Sequence, residues 1–114
     1  MTLQHVVLFS FPQEPSAEVA AEMRGYIAGW VDVIPGIAAL RFGRDLTNAR
    51  TRGYQFLLYM EFADEDDLRT YQQHPVHQEF LAWVNANTIT PLAFDYHLDG
   101  ETVLIPASQP PSKE

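Results

Sequence analysis

Few residues in this chain can carry chemistry. Its 114 residues include four histidines and no cysteine, which excludes thiolate nucleophiles, disulfides and thiolate metal sites. Two of the histidines share one stretch, YQQHPVHQEF, at residues 71–80. Three readings suit it. An imidazole with a pKa near about 6.5 can take a proton at neutral pH, and a tyrosine hydroxyl can donate to a carbonyl whose enolate is forming. His77 and Tyr71 would together suit proton abstraction next to a carbonyl. His74 and His77, three apart, could clip a metal. Alternatively, His74 and Pro75 form only a joint between helices, and His77 bonds a backbone carbonyl.

The metal reading is the weakest. Pro75 biases His74 away from helical geometry, no glutamate intervenes as in HExxH, and there is no cysteine. No metal and no cofactor are expected. His74 suits a helix N-cap, with Pro75 at the first helical position. His77 would lie in the first turn, where the helix dipole favours the neutral imidazole. Aspartates and glutamates at 64–67 resemble a calcium loop only in composition, and Asp64 as an N-cap explains them.

The elements that must hold these residues follow from periodicity. QHVVLFSF at 4–11 reads as a strand with His5, Val7, Phe9 and Phe11 on one face and Val6 and Leu8 on the other. Residues 16–34 read as one helix capped by Ser16, with a stripe of Val19, Met23, Tyr26, Ile27, Trp30 and Ile34. Gly25 and Gly29 inside it suggest close packing on the sheet, and Pro35-Gly36 ends it. Residues 37–46 read as an irregular strand and 54–62 as the strongest strand. Two short helices meet at Pro75, and 91–98 form a last strand. The order β-α-β-β-(α-α)-β is the split βαβ arrangement of an α+β, ferredoxin-like domain with a four-stranded antiparallel sheet. Helices cover one sheet face, yet the first and third strands are apolar on both. A homodimer through the open face is therefore expected, two sheets pairing into an α+β barrel. Residues 1–98 form the domain. Residues 99–114 form an extension with an apolar patch (Val103, Leu104, Ile105) and an end expected to be disordered.

Composition narrows the partners. The chain is 46% hydrophobic and 19% charged, as in a globular domain. A net charge of −8 disfavours nucleic acid and anionic membrane surfaces as partners. No signal peptide or spanning segment is read, so a cytoplasmic location is expected. Four of the seven basic residues, Arg41, Arg44, Arg50 and Arg52, lie within RFGRDLTNARTR. They form either a mouth for an anionic substrate or a solvated loop balancing an acidic surface.

HVVLF near the start, IPGI after the first helix, GYQFLLYMEF, YQQHPVHQEF and the closing FDY resemble the stress-responsive dimeric α/β-barrel (Dabb) family over about residues 3–97. The resemblance implies a dimer of two facing sheets with helices outside. By similarity to a polyketide cyclase of that family, it implies an aldol-type cyclase or isomerase site. His77 would be the base, Tyr71 its partner, and His5 a further polar group in the pocket. Val7, Phe9, Met23, Ile27, Leu58 and Phe80 would line that pocket and bind a small hydrophobic carbonyl compound. Ile27 and Thr88 stand where the cyclase has a tyrosine and a tryptophan, so its substrate does not carry over. Other members imply the alternative, a non-catalytic module whose dimer is the functional unit.

Overall fold

A computed structural model describes residues 2–99, 102 and 103. The strands are β1 (Leu3–Ser10), β2 (Ile37–Arg44), β3 (Phe56–Phe62) and β4 (Thr90–His97). The helices are α1 (Ala17–Ala28), α2 (Trp30–Val33), α3 (Glu65–Gln73) and α4 (Pro75–Ala86). The sheet runs β2-β3-β1-β4, antiparallel throughout. This is the expected ferredoxin-like order, with β1 central and β4 at an edge. Most of the expected extension lies outside the described residues.

Strand alternation builds the core. Leu3, His5, Val7 and Phe9 of β1 align with Phe62, Met60, Leu58 and Phe56 of β3, and all eight are buried. Met23, Ile27, Trp30, Ile34, Tyr71, Phe80 and Val84 cover them from the helices. The caps act as the sequence suggests: the side chains of Ser16 and Asp64 accept from the amides of Val19 and Asp67. His74 Nδ1 accepts from the Val76 amide at 3.1 Å, and Pro75 opens α4.

The structure corrects two expectations. The helix expected over residues 16–34 is broken: α1 ends at Ala28, Gly29 caps it with φ −90° and ψ −4°, and α2 is a single turn. Gly25 and Gly29 are also not sites of close packing. Both are exposed, and a Cβ at either would meet nothing within 4 Å. Gly29 instead marks the break that turns Trp30 into the core. Nothing in the structure explains Gly25.

Among the described residues, no helix covers the second sheet face. Leu57, Leu92, Phe94 and Tyr96 are exposed there by 41%, 51%, 67% and 38%, beside the half-buried Val6 and Leu8. Among the described residues, no helix is long and apolar enough to cross a membrane.

Candidate functional site

Three elements bring the expected polar residues together. β1 supplies His5, the last turn of α3 supplies Tyr71, and the first turn of α4 supplies His77. The His74–Pro75 joint sets the angle between the two helices. Tyr71 lies between the histidines, with ring centroids 4.2 Å from His77 and 5.7 Å from His5. Trp30 closes the group at 5.6 Å from His77 and 5.4 Å from Tyr71. All four residues are buried.

Hydrogen bonds assign the tautomers. His77 Nδ1 lies 3.1 Å from the Gln72 carbonyl oxygen. That oxygen can only accept, so Nδ1 carries the hydrogen and Nε2 of the neutral ring keeps its lone pair. His5 Nδ1 donates in the same way to Asp95 Oδ1 at 2.5 Å. Neither Nε2 nor the Tyr71 hydroxyl bonds any described residue. The Trp30 indole N–H is buried without a partner among the described residues, a rare and unfavourable state for a donor.

Burial shifts both ionisable groups toward their neutral forms. Burial holds His77 below the ordinary histidine value. Its bond to Gln72 opposes this and charge on His5 adds to it, so the neutral ring is favoured at pH 7. Burial pushes the Tyr71 phenol well above its ordinary value of 10.0, and the Asp95 charge adds to the effect. Tyr71 therefore stays protonated and can donate. The helix dipole invoked from sequence is not needed, because burial dominates.

Val7, Phe9, Met23, Ile27, Leu58 and Phe80 surround this group as packed core, each at most 7% exposed. Three clefts among the described residues are each lined without His5, Tyr71 or His77. One of about 350 Å3 reaches the outer side of the site, where Asp95 and Gln72, the partners of the two histidines, form part of its wall beside Leu3 and Leu68.

Asp95 was missed from sequence. Its signal was cross-strand register: β1 and β4 pair antiparallel with His5 opposite Asp95. Trp30 read only as a core stripe position. Arg41, Arg44, Arg50 and Arg52 lie away from this site, around a different cleft. Among the described residues, no three histidine, aspartate or glutamate side chains cluster as a metal site would require.

The topology defines a ferredoxin-like α+β domain with helices on one face of its sheet. The chain belongs to the stress-responsive A/B barrel domain family, whose model matches residues 3–98. It is similar to a dimeric ferredoxin-like protein from Thermobifida fusca at 26% identity, covering 86% of this chain and 92% of that one, with TM-score 0.75. A Dabb family protein from Mesorhizobium loti shares 23% identity over 87% of this chain and 98% of its own, with TM-score 0.70. The hydroxynitrile lyase of Passiflora edulis shares the fold at TM-score 0.71 and 16% identity, covering 86% and 95% of the two chains. No functionally curated protein matches the chain.

Proposed function

We propose that this chain is a homodimer, joined through its open sheet face, that catalyses cofactor-independent proton transfer at a carbon next to a carbonyl. Aldol-type cyclisation or isomerisation of a small hydrophobic ketone is such a reaction. His77 Nε2 takes the proton. Tyr71 donates a hydrogen bond to the carbonyl oxygen as enolate charge develops. His5, held by Asp95, is the second polar group. The observation that carries this reading is the His77 and Tyr71 rings 4.2 Å apart, with His77 Nε2 and the Tyr71 hydroxyl bonded to no described residue; burial favours the neutral form of each. A substrate would enter from the cleft beside Asp95 and Gln72 and displace core side chains such as Met23 and Phe80.

A direct test is solvent deuterium exchange into 2-octanone, followed by proton NMR. The intact protein is expected to accelerate exchange next to the carbonyl. His77→Ala and Tyr71→Phe should each lower the acceleration by about 100-fold or more. Tyr71→Phe should leave stability intact, since the hydroxyl bonds no described residue. Equal exchange in wild type and both variants would refute the assigned roles.

The second reading is a non-catalytic module whose dimer is the functional unit. It is favoured by the close packing around His77 and its satisfied bond to Gln72. It predicts no exchange across a ketone panel while the dimer persists.

A further inference from the structure

The Trp30 ring is fully buried, yet its indole N–H bonds no described residue. Buried tryptophans usually find a partner for this donor. A phenylalanine would fill much of the same space and leave no donor unpaired. Packing therefore accounts for an aromatic ring at this position but not for its nitrogen.

Trp30 opens α2, directly after the break at Gly29. Among the described residues its ring packs against Tyr71 at 5.4 Å, His77 at 5.6 Å and Phe80 at 5.1 Å. Tyr71 and His77 bring polar atoms, and the phenol hydroxyl and the imidazole Nε2 are themselves unpaired. Tyr71 and His77 also touch each other, at 4.2 Å. Three mutually adjacent side chains thus hold two free donors and one free lone pair. They do so inside the packed core that includes Met23, Ile27 and Phe80. An enolisable carbonyl presents the complement. Its oxygen has two lone pairs for two donors, and the hydrogen to be removed sits one carbon beyond the carbonyl carbon. As that hydrogen leaves, negative charge gathers on the oxygen, where a buried, preplaced donor stabilises it most.

We propose that the Trp30 indole N–H is a second donor to the carbonyl oxygen, beside the Tyr71 hydroxyl. This deepens the proton-transfer reading and rests on it, and it makes Trp30 a catalytic residue. The α C–H bond breaks and its proton goes to His77 Nε2. The electron pair left behind forms the enolate, whose oxygen is held by both donors. Neither donor gives up its own proton.

The test removes the N–H and keeps the ring. The chain has two tryptophans, so Trp83→Phe leaves Trp30 alone and serves as the reference. Biosynthetic incorporation of benzothienylalanine into that background exchanges the Trp30 N–H for sulfur. Deuterium exchange into 2-octanone should then fall about 100-fold. Thermal stability should hold or rise, because the group removed was buried without a partner. In the unsubstituted protein, the Trp30 indole 15N–1H signal should move downfield and saturate as 2-octanone is added. That measurement stands even where the sulfur form fails to fold. If the reference exchanges the ketone and the sulfur form does so equally fast, the role of Trp30 is overturned and the proton-transfer reading survives. A sulfur form that exchanges normally but melts lower would assign the N–H to an internal water, which also overturns it. If the unsubstituted protein exchanges no ketone, the proton-transfer reading falls. A saturating indole shift would then still uphold the donor, and an unmoved signal would overturn it.

Discussion

Replacing Phe94 with serine tests whether the uncovered sheet face is the dimer interface. Phe94 sits on edge strand β4 and is 67% exposed in the single chain, so its loss should barely disturb the protomer. A phenylalanine side chain presents about 200 Å2, so about 130 Å2 remains for a partner to bury. At about 25 cal/mol per Å2 this is about 3 kcal/mol per copy, or about 6 kcal/mol for both copies in a symmetric dimer. Buried area converts only partly to affinity, because association has its own entropic and desolvation costs. Even half of it, about 3 kcal/mol, is about two decades in Kd. Sedimentation velocity over nanomolar to high-micromolar concentrations measures this directly. Wild type should be dimeric at micromolar concentration, and Phe94→Ser should be largely monomeric there. Val31→Ser is the control, because Val31 is 54% exposed but lies on α2, on the helix side. A stable wild-type monomer, or equal Kd values for wild type and Phe94→Ser, would refute the argument. Weakening by Val31→Ser alone would place the interface on the helices.

Four further outcomes are expected. Because burial depresses the His77 pKa, the unfolded chain binds more protons than the folded one as pH falls through the ordinary histidine value of about 6.5. This contribution to stability is complete above that value and is lost below it. Urea unfolding at pH 7.5 and 5.5 should show a smaller acid loss in His77→Gln than in wild type, and equal losses would contradict the burial argument. Gly25→Ala should stabilise by about 0.5–1 kcal/mol, since the site is exposed and helical. Gly36→Ala should destabilise by more than about 1 kcal/mol, because φ is +93° and the new Cβ would lie 3.0 Å from Asp67; thermal melts check both signs. Long-range 15N–1H spectra should show Nδ1 protonated in neutral His5 and His77, and Asp95→Ala should alter that signature for His5 but not for His77.

Alternation and capping made much of the fold legible. His5, Val7 and Phe9 alternate with Val6 and Leu8, and that pattern alone gave the strand and its two apolar faces. Pro75 after His74 gave the helix joint. The break at Gly29 was not legible, because Trp30 and Ile34 continue the stripe whether or not the helix does. Burial against the sheet, rather than helix periodicity, fixes where Trp30 points. Within the site, residue type singled out His77 and Tyr71 and the resemblance added His5, but only folding brings the three together. Asp95 lies 90 residues from His5 in sequence and needed the β1–β4 register. Arg41, Arg44, Arg50 and Arg52 were visible as a basic cluster, but the cleft they border draws residues from all four strands. No local pattern could have joined them.

The indole of Trp30 lies edge-on to His77, 5.6 Å away and inclined by 73°. The chain's other tryptophan, Trp83, stacks on Phe80 instead. A protonated imidazole quenches the emission of an adjacent indole, whereas a neutral one quenches it much less. The protein therefore carries its own optical reporter. With Trp83 replaced by phenylalanine, the fluorescence of a single residue would follow the protonation of His77. It would also respond to any molecule that displaces the side chains packed around it.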